Sequence, residues 1–134
     1  MAESRTDSAG QVHTAAVRPT LLIVDDHDGF RSVARAMLDG PGFDVVGEAA
    51  DGARALSAGR RLLPAVVLLD VNLPDGDGFE VSARLSRLSP PPRVVLTSSR
   101  PVTDLRRRLA ASDAVAFLPK DQLSVESLAE VLGR

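Results

Sequence analysis

From Pro19 onward, five short runs rich in aliphatic residues alternate with amphipathic stretches: Leu21 to Asp25, Asp44 to Ala49, Val66 to Asp70, Val94 to Thr97 and Ala114 to Leu118. A strand that is apolar on successive positions has to be covered on both of its faces, and intervening helical segments supply that cover. The alternation predicts an α/β fold: a five-stranded parallel sheet with five helices distributed over both faces.

The helices are read from their apolar spacing. Phe30, Val33, Ala34, Met37 and Leu38 follow the i, i+3, i+4, i+7, i+8 pattern, which predicts a first helix burying all five before Gly40-Pro41-Gly42 stops it. A second runs from Gly52 to Leu63, with Leu56 and Leu63 inward and Arg54, Arg60 and Arg61 outward; Pro64 ends it. Phe79, Val81, Leu85 and Leu88 mark a third, closed by Ser89 and the run Pro90-Pro91-Pro92. A fourth starts at Pro101, a favoured first-turn residue, and continues through Val102, Leu105 and Leu109. Leu128, Val131 and Leu132 define the last.

With 134 residues the chain has room for one domain, assigned to residues 19–134, preceded by an unstructured tail over residues 1–18 that contains a solvated His13. Lack of cysteine excludes disulfides, thiolate metal sites and thiol catalysis, and suits a reducing cytoplasm. A net charge of -2 provides no basic field for nucleic acid, so Arg106-Arg107-Arg108 reads as a solvated helix face. Without Trp or Tyr there is no stacking platform for single strands, and no run approaches the ~18 apolar residues of a membrane span.

In an open parallel sheet, ligands bind beyond the carboxyl ends of the strands, so the residues at those ends belong together. Strand one delivers Asp25 and Asp26, strand three Asp70, strand four Thr97 with Ser98 and Ser99, and strand five Lys120. Carboxylates brought that close repel by roughly 4 kcal/mol per pair at an effective dielectric near 20, so a cation has to sit among them. Oxygen donors with no Cys and no converging His suit a hard ion, and Mg²⁺ keeping several waters is the natural one. Lys120 adds a fixed positive charge and Thr97 a hydroxyl, which suits the oxygens of a phosphoryl group; a carboxylate can itself attack phosphorus. The set reads as phosphoryl transfer to an aspartate.

At these residues the chain resembles the receiver domains of two-component response regulators. The motifs are the acid pair in VDD, the loop DVNLPDGDG, the hydroxyl in VVLTS and the lysine in AFLPK, over about residues 20 to 132. The resemblance implies a flavodoxin-like doubly wound sheet of order 2-1-3-4-5. It implies Asp70 as phosphoacceptor, and Mg²⁺ held by Asp25, Asp26, Asp70 and the backbone carbonyl of Asn72. Thr97 and Lys120 would contact the phosphoryl oxygens, and Thr97 with Phe117, the aromatic three residues before the lysine, would throw a switch read on helix four, strand five and helix five. A sensor histidine kinase is the implied donor. The function is then cytoplasmic signalling by a phosphoacceptor rather than a metabolic enzyme. Output passes to a partner protein or an effector domain, and a phosphorylation-dependent homodimer is a further form.

Within the acceptor loop, Pro74, Gly76 and Gly78 fit a turn, and Asp75 and Asp77 read as turn and cap residues. Asp28 suits an N-cap for the first helix, and His27 reads as a loop-packing residue. The chain departs from the common pattern at three places. Phe117 lacks a tyrosine hydroxyl, Ser98 is larger than the usual Ala or Gly and would narrow access to Asp70, and Pro119 precedes Lys120 instead of following it. VVGEAADGARAL and LLIVDDHDGFR look most like receivers that precede a LuxR/NarL-type helix-turn-helix domain; the chain is then a stand-alone receiver or a fragment. Two other readings stay open: a receiver-like interaction module that is not phosphorylated, and a haloacid-dehalogenase-type phosphatase with Asp26 as nucleophile and Asp28 as acid/base in DHDG.

Overall fold

The computed structural model describes residues 4–6, 12–14, 18–101, 103 and 105–133. Five strands form one parallel sheet: β1 Thr20–Val24, β2 Asp44–Ala49, β3 Val66–Asp70, β4 Arg93–Ser98 and β5 Ala116–Pro119. Their spatial order is β2-β1-β3-β4-β5, the doubly wound order expected. The helices are α1 Asp28–Leu38, α2 Gly52–Leu62, α3 Gly78–Leu85, α4 Arg106–Ala110 and α5 Val125–Val131. Inside the stretch expected to be a tail, Ser4–Thr6 pairs antiparallel with Val12–Thr14, with His13 opposite Arg5. Arg18 donates to the Gly40 carbonyl at 2.7 Å; the other residues of that stretch lie outside the described ones.

Alternation along the strands builds two cores. Leu22, Val24, Val67, Leu69, Val94 and Leu96 face α2 and α3, while Leu21, Ile23, Val66, Leu68 and Val95 face α1 and α5. Each fully buried aliphatic side chain contributes roughly 1.5–3 kcal/mol, which holds the central strands rigid and their carboxyl ends in fixed register. Asp70 is thereby set opposite Thr97 across the β3–β4 pair.

Several local expectations are corrected. Only Ala34 and Leu38 of the first helix's stripe are fully buried; Val33 is 58% exposed and Met37 39% exposed. The stripe is wider than the sheet surface it meets. Leu63 turns outward because, as the C-cap of α2, it adopts a left-handed φ of 45° while its N–H bonds to Gly59. α3 ends at Leu85, and Leu88 reaches the same core from the tight turn that follows.

The fourth helix does not begin at Pro101 but at Arg106, and Val102 lies outside the described residues. Among the described residues of this segment, Leu105 is the apolar side chain buried against the sheet, with Leu109 partly so. β-Branched Thr103 adds little helix propensity of its own.

Candidate functional site

β1 ends in the buried core, and the chain leaves it through Asp25, whose N–H continues the ladder to Ala49 O at 3.0 Å. Asp25 is fully buried and Asp70, the last residue of β3, nearly so. Asp26 is exposed at the rim. Each loop is fastened by its own acid: Asp25 Oδ1 accepts the His27 N–H at 2.9 Å, and Asp70 Oδ1 accepts the Asn72 N–H at 3.0 Å. The other oxygen of each faces Lys120, whose Nζ lies 2.6 Å from Asp25 Oδ2 and 3.3 Å from Asp70 Oδ2. The contact to Asp25 is an ion pair outside hydrogen-bonding angles, and among the described residues that buried oxygen has no hydrogen bond.

Burial pushes the Asp70 carboxyl above its ordinary pKa; the Asn72 N–H opposes this, the charge on Asp25 adds to it, and Lys120 opposes it. For Lys120, burial works to lower the pKa, but the combined pull of Asp25 and Asp70 outweighs it and holds the amine protonated. Lys120 opens a short 3-10 turn, Lys120–Gln122, directly after Pro119, and its Nζ sits 4.6 Å over the Phe30 ring.

The structure brings Asp25, Asp26, Asp70, Thr97 and Lys120 to the same edge of the sheet, with Asn72 lining a cavity of about 220 Å³ beside Asp26, Asp70 and Lys120. Among the described residues, Thr97 Oγ1 is buried without a hydrogen-bond partner. Ligand atoms of Asp25, Asp26, Asp70 and His27 all lie within 4.8 Å of one another. Three carboxylates with one lysine leave negative charge in excess, and an oxygen-rich set of this kind fits a hard divalent cation. Phe117 is half-buried, opposite Leu96, and packs on the core shared with Leu105 and Leu109.

Some assignments shift. Asp28 does not cap α1: His27 holds that position, and the exposed Asp28 carboxylate pairs with Arg31 away from the acid cluster. His27 does not pack into the loop; its ring is 72% exposed and its Nδ1 lies 3.2 Å from both Asp25 Oδ1 and Asp26 Oδ1. Ser98 is buried with its hydroxyl accepting the Arg100 N–H, and it is Ser99 that lines the cavity at Asp70.

Other contacts lie far apart in sequence. Arg31 holds the acid loop from behind, donating to Asp25 O at 2.6 Å and to Glu48 Oε1 at 3.1 Å. Asp75 accepts the N–H groups of Gly52 and Ala53, so the loop after β3 caps α2, and those two bonds hold its carboxyl below the usual range. Asp77 caps α3 through the Phe79 N–H and also pairs with Arg108 of α4. Gly78 is required by close approach: a Cβ there would stand 2.3 Å from the Asp70 carbonyl oxygen.

A doubly wound parallel sheet with an acid cluster and a lysine at its carboxyl edge defines the class as a flavodoxin-like α/β fold with an acidic pocket. The chain belongs to the response regulator receiver domain family, whose model matches residues 21–132. It is 38% identical over 112 residues to the transcription regulator BvgA of Bordetella pertussis, covering 84% of this chain and 52% of that one. A protein described as a transcriptional regulator from Pseudomonas aeruginosa is 41% identical over 113 residues, with 84% of this chain and 52% of the relative covered. The chain thus spans about half the length of these curated relatives. The receiver domain of the response regulator NarL from Mycobacterium tuberculosis superposes with a TM-score of 0.77 at 33% identity, covering 87% of this chain and 98% of that one.

Proposed function

We propose that Asp70 accepts a phosphoryl group from a phosphohistidine on a sensor histidine kinase, with Mg²⁺ held by Asp25, Asp26, Asp70 and the carbonyl of Asn72. The observation that carries this reading is Lys120, within reach of both Asp25 and Asp70, while Thr97, opposite Asp70 on the next strand, has a buried hydroxyl with no hydrogen-bond partner among the described residues. Bound Mg²⁺ supplies charge neutralisation at the phosphoryl oxygens. An Asp70 carboxylate oxygen forms the new bond to phosphorus as the bond from phosphorus to the imidazole nitrogen breaks, with its electron pair leaving on the ring. Lys120 and Thr97 then bind the oxygens delivered to them, and Asp25 holds Lys120 in place.

Phosphorylation adds about 1.5 to 2 negative charges and three acceptor oxygens. Drawing Thr97 toward them vacates space next to β5, into which the Phe117 ring moves, and α4, β5 and α5 carry the change to the surface. The switch is steric, since Phe has no hydroxyl.

The donor reaches Asp70 beside α1. There Val33 and Met37, with Phe30, Pro101, Lys120 and Leu123, line an apolar cleft of about 640 Å³ next to the acid pocket. An apolar helix face left open at the rim of a reaction site suits a kinase helix carrying the phosphohistidine. By analogy with the transcription regulators it resembles, the output is control of transcription in the cytoplasm through a DNA-binding segment or partner. The test is transfer of label from a phosphorylated kinase or an acyl phosphate: a base-labile, Mg²⁺-dependent adduct is expected, and no adduct from either donor contradicts the reading.

A further inference from the structure

The acid pocket contains a nitrogen donor that an oxygen-only Mg²⁺ site does not need. We propose that His27 Nδ1 is a metal ligand of this pocket and tilts its selectivity toward first-row transition ions relative to Mg²⁺. This rests on the reading above that the pocket holds a divalent cation.

The geometry fits a shared ion. His27 Nδ1 stands 3.2 Å from Asp25 Oδ1 and 3.2 Å from Asp26 Oδ1. Neighbouring ligands on an ion with bonds of about 2.1 Å are separated by about 3.0 Å in an octahedron and slightly more in a tetrahedron. Lys120 occupies the opposite oxygen of Asp25, Oδ2, so an ion shared with His27 and Asp26 would take Oδ1, which already accepts the His27 N–H and keeps a further lone pair.

The backbone that presents the ring is also positioned from both sides. The His27 N–H is held by Asp25 Oδ1, its carbonyl accepts the Arg31 N–H at 3.0 Å as the N-cap of α1, and Arg31 Nη1 grips the Asp25 carbonyl. With Asp70 within the same 4.8 Å cluster, the donors become three carboxylates and one imidazole. Mg²⁺ gains little from an imidazole, whereas Mn²⁺ through Ni²⁺ and Zn²⁺ accept it readily, with affinity rising along that series to copper. If His27 served only as a hydrogen-bond donor to the carboxylates, it would favour no cation over another.

The experiment compares the untagged full chain with His27→Ala and His27→Asn, measuring Ni²⁺ and Mg²⁺ affinities by calorimetry. In parallel, pulsed EPR of the Mn²⁺-loaded protein looks for imidazole nitrogen coupling, with His13→Ala removing the chain's other histidine. The Ni²⁺-to-Mg²⁺ affinity ratio is expected to fall by roughly tenfold or more in both His27 variants. Nitrogen coupling is expected in wild type and His13→Ala and not in His27→Ala, and its presence in the first two does not depend on how the His27 variants fold. An unchanged ratio, or no nitrogen coupling in wild type, overturns the assignment. Mg²⁺ binding with an unchanged ratio removes only the role of His27, whereas a wild-type chain that binds neither ion defeats the cation pocket itself.

Discussion

Lys120 Nζ lies 3.3 Å from Asp70 Oδ2, so the loop after the edge strand β5 is tied to the end of the central strand β3 by one amine. The same amine pairs with the fully buried Asp25, and in the absence of a bound cation it is the positive charge that keeps the two acids together.

Lys120→Ala removes that charge. Stability measured by urea unfolding in a chelator is expected to fall by about 2 kcal/mol, less than the usual cost of breaking a fully buried pair because solvent partly reaches the amine. Added Mg²⁺ is expected to recover part of the loss and to bind more tightly than in wild type, since the acids then lose a competing cation. Equal stability of the two proteins in chelator would contradict this electrostatic role.

The Asp75 carboxylate joins the loop after β3 to the first turn of α2 through Gly52 and Ala53, and its pKa is depressed by those bonds. A depressed carboxylate contributes stability above its unfolded pKa, and loses it as pH falls through the lower folded value. Asp75→Asn is therefore expected to melt at a lower temperature than wild type at neutral pH, with the gap closing in acid below the ordinary carboxylate range. A gap that is constant with pH would show that the charge is not what matters.

Val33→Glu and Met37→Glu place charge on the apolar rim of the cleft while leaving the acid pocket intact. Transfer from a phosphorylated kinase is expected to slow by roughly tenfold or more, as for loss of a buried interface anchor. Phosphorylation by a small acyl phosphate is expected to stay near wild type. Equal slowing with both donors would place the effect in the chemistry rather than in docking.

What the sequence reveals about this protein follows from which interactions are local. The strand runs are legible because burial on both faces demands aliphatic continuity, and the strand-end rule then gathers Asp25, Asp26, Asp70, Thr97 and Lys120 without any side-chain detail. Periodicity shows which residues of α1 are apolar but not how much sheet surface is there to cover them, so Val33 and Met37 read as core while standing open. Pro101 signals a helix start from one residue, yet the helix forms only where Leu105 finds a buried seat. His27 beside Asp26, Asp75 on α2 and Arg31 between Asp25 and Glu48 depend on side-chain direction and on contacts across the fold, which spacing along the chain does not encode.

The most direct test of the central claim is to locate the phosphoryl group. After incubation with Mg²⁺ and an acyl phosphate, or with a phosphorylated kinase, peptide mapping by mass spectrometry is expected to find the adduct on Asp70, absent in Asp70→Asn and absent when Mg²⁺ is withheld. An adduct on Asp26 would point instead to phosphatase-type chemistry, and no adduct with either donor would leave an unphosphorylated interaction module; either result contradicts the assignment of Asp70.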